Sequence, residues 1–205
     1  MIEQRSPEWF AERLGKVTAS RINDVLATLK NGNEAATRRA YRFQLALERL
    51  TGKQEQGFSS AAMQWGTDCE PLAVAAYEAQ TGCIVAQAEF VQHPALSMAG
   101  ASPDGLLGAN GLLEIKCPNS ATHFEWMLAG QVPAEHQNQM LWQMACTGRA
   151  WCDFVSYDPR MPDYAALFIK RLERDDARIE IITKGVAALL DEVQQLCSQI
   201  ESMKQ

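Results

Sequence analysis

Apolar residues recur at helical spacing through much of residues 1–80, again before residue 146, and towards the C-terminus. Ser6 and Pro7 are typical residues at the start of a helix. The longest predicted helix begins at Asp175, where a carboxylate suits the positive end of the helix dipole. The other predicted helices begin at Ser20 or cover residues 7–14, 35–50, 61–80, 124–128 and 134–146.

The middle of the chain shows patterns typical of strands, namely alternating apolar and polar positions and short apolar stretches. The predicted strands cover residues 83–91, 96–101, 112–115, 150–156 and 164–171. A glycine-rich turn joins the second and third of these strands. No repeat, linker or low-complexity tract interrupts the pattern. We therefore predict a single α/β domain over residues 1–205, with a mixed central β-sheet flanked by helices and a long C-terminal helix.

The composition is typical of a globular protein that folds around one core. The chain has 205 residues, of which 47% are hydrophobic and 21% are charged, which is too apolar for a disordered protein. No apolar run in the sequence approaches the roughly 20 residues that cross a bilayer, so we expect a cytoplasmic protein without a membrane partner. Six cysteines occur without paired C-x-x-C spacing, which favours reduced core thiols over a zinc site.

The net charge of -6 argues against a nucleic-acid partner, because binding to duplex DNA needs lysine and arginine against the phosphates. The distribution of charge changes this picture. Residues 1–53 contain ten lysines and arginines and six carboxylates, whereas residues 54–205 contain nine and nineteen. The basic group of Arg38, Arg39 and Arg42 is either a surface that faces DNA or the solvated face of a helix, and charge alone favours the latter.

A candidate catalytic site lies between Ser102-Pro103-Asp104-Gly105 and Leu113-Glu114-Ile115-Lys116. Residues two apart on a strand share a face, so Glu114 and Lys116 point the same way, and Asp104 on the preceding turn can meet Glu114. Two carboxylates and a backbone carbonyl provide the oxygen ligands that Mg²⁺ prefers, and a nearby lysine can orient an attacking water. The alternative is an ion pair on a solvated strand beside a simple turn. Charges within an apolar strand are seldom buried without a partner or a metal, so the residues alone leave both alternatives open.

Motifs along nearly the whole chain resemble the lambda exonuclease and YqaJ-like viral recombinase family of PD-(D/E)xK nucleases. They occur in the family's order and comprise Trp9, Arg13-Leu14-Gly15, Thr18-Ala19-Ser20, Trp65-Gly66 with Glu70, Ser102-Pro103-Asp104-Gly105, Leu113-Glu114-Ile115-Lys116-Cys117-Pro118, Gln139 with Gln143, Thr147-Gly148 and Tyr157-Asp158-Pro159-Arg160-Met161. The resemblance implies a restriction-endonuclease-like core and 5′→3′ digestion of one strand of linear double-stranded DNA, which leaves a 3′ overhang. It also implies a ring-shaped homotrimer that works with a single-strand annealing protein in phage-type recombination.

The resemblance further implies two Mg²⁺ ions in each active site, for which Mn²⁺ could substitute. The implied metal ligands are Asp104, Glu114, the backbone carbonyl of Ile115 and, for the second ion, Glu70. Lys116 would serve the attacking water, and Gln139 would order that water or the scissile phosphate. Without the resemblance, Glu70 is an ordinary carboxylate on a helix surface and Gln139 an ordinary helix glutamine.

Three residues match the positions that grip the terminal 5′-phosphate in the family, namely Arg13, Ser20 and Ser102. A guanidinium and two hydroxyl groups are apt donors for a phosphate. The chain departs from the family pattern after Lys116-Cys117-Pro118. The family carries a further phosphate-binding arginine there, whereas this chain has Thr122 and His123. Either His123 contributes, or another basic residue does, or the preference for a 5′-phosphate is weaker.

Two rival functions remain open. The same core could serve a structure-specific or site-specific endonuclease, or the chain could be a non-catalytic subunit that binds DNA ends. The complete set of Asp104, Glu114, Lys116 and Glu70 argues against the second rival.

The net negative charge fits a ring that needs positive potential only along its inner wall.

Overall fold

The strand that carries the candidate chemistry lies in the middle of the larger of two sheets. The computed structural model describes residues 6–54 and 60–204. Its strands are β1 (Val17–Thr18), β2 (Val85–Ala86), β3 (Val91–Gln92), β4 (Ala99–Ala101), β5 (Gly105–Leu107), β6 (Gly111–Lys116), β7 (Trp151–Tyr157) and β8 (Leu167–Glu173). The larger sheet has the order β2-β5-β6-β7-β8, and the smaller sheet has the order β1-β4-β3.

Helices flank these sheets, and the mixed α/β architecture with a long C-terminal helix is confirmed. The helices are α1 (Pro7–Arg13), α2 (Ile22–Leu26), α3 (Ala36–Thr51), α4 (Ala61–Thr81), α5 (Ser120–Ala129), α6 (Ala134–Thr147) and α7 (Asp176–Glu201). The first begins as predicted, because the Ser6 hydroxyl accepts a hydrogen bond from the N–H of Trp9 at 3.2 Å. The helix predicted from Ser20 instead starts with a 3₁₀ turn at Ala19–Arg21 and continues as α2.

The central strand β6 is paired on both sides, which fixes its register. It forms an antiparallel hairpin with β5 and a parallel pair with β7, in which Glu114 lies opposite Phe154 and Lys116 lies opposite Ser156. A one-residue slip would turn every β6 side chain to the other face of the sheet. The pairing therefore determines which layer receives the charged residues.

The structure corrects the predicted strands between residues 83 and 111. The strand expected over residues 83–91 is two separate two-residue strands, β2 and β3, which lie in different sheets. Within residues 96–101 only β4 is a strand, and it pairs with β1 and β3 rather than with β6. The hairpin partner of β6 is β5, which the sequence pattern did not indicate. Strands of two or three residues are too short to show the alternation on which such a prediction depends.

The side chains of β6 alternate between two packed layers. Leu113 and Ile115 are buried in a cluster with Tyr77 of α4. Leu112 belongs to the larger core, which includes buried residues of α6 and α7. Because alternate residues share a face, Glu114 is directed towards α6 on the same side as Leu112.

Part of the N-terminal basic charge holds helices together. Arg38 and Arg42 of α3 both bind Glu192 of α7, at 2.7 and 2.5 Å, and Glu34 at 2.7 and 3.0 Å. The charges of these two arginines are therefore paired with carboxylates of the same chain and are not freely solvated. Arg39 points to the exposed side of the same helix.

All six cysteines are free thiols. The buried ones, as predicted, are Cys69, Cys146, Cys152 and Cys197. Cys83 is exposed and Cys117 is half-buried, which corrects the expectation that every cysteine lies in the core. Within residues 6–54 and 60–204, no helix is both long and apolar enough to cross a membrane.

Candidate active site

One open cleft of about 580 Å³ brings the predicted site residues together. Its lining includes Arg13, Ser20, Glu70, Ser102, Asp104, Glu114, Ile115, Lys116 and Gln139. Residues that are far apart in sequence thus meet where α1, α4, β6 and α6 converge. In the part of the chain that the structure describes, no three histidine, cysteine, aspartate or glutamate side chains form a ready-made metal centre. A metal site here would need the backbone carbonyl of Ile115 and waters beside the two carboxylates.

Glu114 is a fully buried carboxylate that is held by three donors. The amide of Gln139 donates to Glu114 Oε1 at 2.6 Å, and the amide of Gln143 donates to Oε2 at 2.6 Å. The ammonium of Lys116 lies 2.5 Å from Oε1. Gln139 and Gln143 are four residues apart on α6, so they share the helix face that meets β6. These bonds offset the cost of removing a carboxylate from water.

Asp104 lies on the turn before β5 and is tied to β6 by two hydrogen bonds. Its Oδ2 accepts from the N–H of Ile115 at 2.7 Å, and its own N–H donates to the carbonyl of Leu113 at 3.2 Å. Burial and the charge of Glu114 raise the pKa of Asp104 well above its ordinary value, although Lys116 opposes the shift. Two carboxylates are therefore held close together at a cost that a bound cation would remove.

Lys116 is the positive partner of this acidic group. Burial lowers its pKa, but the charges of Glu114 and Asp104 outweigh burial and raise the pKa above its ordinary value. Glu70 on α4 acts in the same direction. One lysine thus faces three carboxylates, and this imbalance is what a divalent cation would neutralise.

A second polar group occupies the part of the cleft formed by α1. The guanidinium of Arg13 donates to the Ser102 hydroxyl at 2.8 Å and lies 3.9 Å from the centre of the Trp9 ring. Burial lowers the pKa of Arg13 to about 10, so the side chain is still charged at neutral pH. Ser20 is exposed at the same cleft, and its hydroxyl lies 3.4 Å from that of Thr18.

The structure argues against the alternative in which His123 contributes to phosphate binding. Its ring is fully buried, Nδ1 lies 2.7 Å from the Ser156 hydroxyl, and Nε2 lies 2.9 Å from the carbonyl of Ala165. Both ring nitrogens are thus engaged within the fold and are not available to a phosphate. Thr122 lies in the first turn of α5, where its N–H donates to the Asn119 side chain at 3.0 Å. Neither residue lines the cleft.

Two other histidines pack against aromatic rings. His136 lines the cleft, stacks on Phe154 with ring centres 5.4 Å apart, and meets the edge of Trp126. Burial and the charge of Lys116 lower the pKa of His136, which favours a neutral ring. His93 is buried and stacks on a core tryptophan.

The Asp158-Pro159-Arg160 motif supports the loop that follows β6. Arg160 binds Asp158 at 2.7 Å, donates to the carbonyl of Pro118 at 3.0 Å, and lies over the Trp65 ring. Burial raises the pKa of Asp158, but hydrogen bonds from Arg160 and Ser120 outweigh it and lower the pKa to about 2. This ion pair connects the cleft wall of α4 to the end of β6.

Two residues that shape the site, Gln143 and Trp9, had no role predicted from the sequence. Both appeared only as parts of the family motifs. The signal for Gln143 was its spacing of four residues from Gln139, which predicts that both amides reach the same strand. The signal for Trp9 was its spacing of four from Arg13, which allows a cation–π contact within one helix turn.

Comparisons with known proteins identify related chains. The YqaJ-like viral recombinase domain model matches residues 8–150. The alkaline exonuclease LHK-Exo from Laribacter hongkongensis is 50% identical, with 96% of this chain and 97% of that chain covered and a TM-score of 0.89. Its complex with dAMP gives the same identity and coverage with a TM-score of 0.90. No curated protein matches significantly.

A more distant structure supports the fold. A phage related exonuclease from Haemophilus somnus 129PT is 16% identical, with 90% of this chain and 96% of that chain covered and a TM-score of 0.71. At this identity the match concerns the fold alone. Together with the Laribacter structures, it confirms the predicted nuclease fold class.

The raised pKa of Asp104 predicts a pH-dependent stability in the absence of metal. Above the ordinary value of 3.8 and up to the raised pKa, the folded protein binds one more proton than the unfolded chain. The free energy of unfolding therefore falls as the pH rises through this window. We expect the Asp104→Asn variant to lose less stability than the wild type as the pH rises above 3.8, by about 1.4 kcal/mol for each tenfold by which folding raises the proton affinity of Asp104.

Urea unfolding in EDTA measures this difference. Asp191→Asn is the matched control, because Asp191 is an exposed carboxylate on α7. Its stability should follow the wild-type pH dependence. Parallel curves for the wild type and Asp104→Asn would show that Asp104 does not titrate at an unusual pKa.

Proposed function

Because the chain belongs to the YqaJ-like viral recombinase family, we propose that it is a Mg²⁺-dependent exonuclease that digests one strand of linear double-stranded DNA from its 5′ end. The observation that carries this proposal is the pair of Asp104 and the buried Glu114, with Lys116 beside it, in the same cleft as Arg13 and Ser102. The relative of 50% identity is an alkaline exonuclease, which supports the reaction class.

The donor set of the cleft fits a divalent cation. Asp104, Glu114 and the carbonyl of Ile115 would hold one Mg²⁺, and Glu70 would help to hold a second. All are hard oxygen donors, and their excess negative charge is reflected in the raised pKa of Asp104. When bound, Mg²⁺ supplies Lewis-acid polarisation of the scissile phosphate and increases the acidity of the attacking water. Mn²⁺ has similar ligand preferences and would substitute.

The protein's own groups would perform the positioning. Lys116 carries a full positive charge at the cleft, where it would orient the attacking water and stabilise negative charge on the phosphoryl oxygens. Gln139 lines the same cleft and would place its amide on the water or the phosphate.

The direction of digestion would follow from the subsite around Arg13. This arginine, with Ser20 and Ser102, would hold a terminal 5′-phosphate while the next phosphodiester lies at the carboxylates. Arg13 is a suitable anchor because its guanidinium is fixed between the Ser102 hydroxyl and the Trp9 ring. Cleavage would then release 5′-mononucleotides and leave a 3′ overhang.

The assembly and partner are also part of the proposal. A ring-shaped homotrimer would enclose the duplex, and a single-strand annealing protein would receive the 3′ overhang. Because Arg38 and Arg42 are bound to carboxylates, the positive inner wall would depend on other basic residues of the N-terminal region. Exposed candidates are Lys30, Arg39 and Lys53.

Digestion of DNA tests the catalytic assignment. We expect the wild type to degrade linear duplex in Mg²⁺ but not in EDTA, and to spare covalently closed circles, which an endonuclease would cut. Asp104→Ala and Lys116→Ala should lower the rate by on the order of 100-fold or more, because each removes a charge that acts on the transition state. Lys184→Ala is the control, since Lys184 pairs with Glu180 on the surface of α7. Wild-type activity in Asp104→Ala would exclude this mechanism.

Substitution of Arg13 tests the terminal-phosphate subsite. The rate on 5′-phosphorylated ends divided by the rate on 5′-hydroxyl ends should fall by about tenfold or more in Arg13→Ala, because a charged hydrogen bond contributes about 1.5–3 kcal/mol. Arg39→Ala, which changes an exposed arginine, should keep the wild-type ratio. An unchanged ratio in Arg13→Ala would place the phosphate elsewhere.

A further inference from the structure

We propose that Gln143 is a positioning residue that keeps Glu114 aimed at the cation site, while Gln139 and Lys116 leave Glu114 when a divalent cation binds. The inference rests on the proposed function, since it assigns separate tasks to three residues around one proposed metal ligand. It assigns a permanent hydrogen bond to Gln143 and an exchangeable one to Gln139, both on α6.

The two oxygens of Glu114 are not equally occupied. A carboxylate oxygen has two acceptor positions. Oε1 already accepts from Gln139 at 2.6 Å and contacts Lys116 at 2.5 Å, so both of its positions are filled. Oε2 accepts from Gln143 at 2.6 Å, which leaves one position. A cation that enters from the cleft must either displace a donor from Oε1 or use the remaining position on Oε2.

The surroundings of the three donors decide which of them can leave. Gln139 and Lys116 line the cleft and are partly exposed, so their polar groups can turn to water or to a phosphate. Gln143 is fully buried and lies outside the cleft lining. Its other amide atom, Oε1, faces the buried thiol of Cys152 at 3.9 Å. Gln143 has no solvent to turn to, so its bond to Glu114 persists.

Two consequences follow for the reaction. The exchange frees the Lys116 ammonium and the Gln139 amide for the substrate at the moment when the cation takes over the charge of Glu114. Meanwhile the Gln143 bond prevents rotation of the carboxylate, so that Glu114 and Asp104 keep the spacing that a cation needs. Outer-sphere hydrogen bonds of this kind alter metal affinity by about 10- to 100-fold in other metal sites.

Binding of Mn²⁺, followed by electron paramagnetic resonance without DNA, tests this division. Gln143→Met keeps the length of the side chain but removes the donor, and we expect it to weaken Mn²⁺ binding by about 10- to 100-fold. Gln139→Met is the matched control on the same helix face and the same carboxylate. It should keep the Mn²⁺ affinity within about threefold of wild type, because its bond is given up on binding in any case.

Kinetics provide a second readout that a merely structural glutamine would not move. The rate of DNA digestion by Gln143→Met should recover as the Mg²⁺ concentration rises, whereas the rate of Gln139→Met should stay low at saturating Mg²⁺. Equal loss of Mn²⁺ affinity in both variants, or none in Gln143→Met, would overturn the inference. A wild-type protein that binds Mn²⁺ but does not digest DNA would contradict the proposed function and leave this inference standing.

A measurement on the wild type covers the case in which Gln143→Met does not fold. In nuclear magnetic resonance spectra, the side-chain amide protons of Gln143 should stay protected from exchange with and without Mg²⁺. Those of Gln139 should shift and exchange faster once Mg²⁺ is added. Protection that is lost at Gln143, or retained at Gln139, would contradict the proposal.

Discussion

The burial of Glu114 in the central strand is the constraint on which the site depends. A carboxylate removed from water costs several kcal/mol unless hydrogen bonds and opposite charge compensate. The compensation comes from α6, which presents Gln139 and Gln143 four residues apart, and from Lys116, two residues further along β6. The packing of α6 against β6 is therefore fixed by polar contacts as well as by the apolar core.

Asp104 places a second carboxylate beside Glu114, and the single positive charge of Lys116 does not balance both. The turn that carries Asp104 is hydrogen-bonded to β6 through Ile115 and Leu113, so Asp104 cannot move away from Glu114 without losing these hydrogen bonds. The fold thus stores an electrostatic cost near the cleft, which is visible in the raised pKa of Asp104. Such a cost is maintained by the stability of the surrounding core, and it makes a cation-binding role the simplest account of the pair.

The sequence predicted the features that depend on the spacing of residues along an element and on the side chains at its ends. The alternation of β6 indicated that Glu114 and Lys116 share a face, and their contact at 2.5 Å agrees with this. Helix limits at Ser6 and Asp175 followed from capping chemistry. Strands of two or three residues left no periodic signal, so the second sheet was not predicted.

Tertiary contacts explain the other features of the structure that the sequence did not predict. The position of His123 after Lys116-Cys117-Pro118 gave no information about its burial. Its ring contacts Ser156 of β7 and the carbonyl of Ala165, which lie far from it in the sequence. The pairing of Arg38 with Glu192 joins residues that are far apart in the chain. Likewise, the different exposure of Gln139 and Gln143 depends on how α6 packs, which helical spacing alone does not reveal.

A crystal structure of the protein with Mn²⁺, in which anomalous scattering locates the ion, tests the proposed cation site most directly. We expect an ion held by Asp104, Glu114 and the Ile115 carbonyl, with the Lys116 ammonium withdrawn from Glu114. An ion bound elsewhere, or none at saturating Mn²⁺ with Lys116 still paired to Glu114, would contradict it.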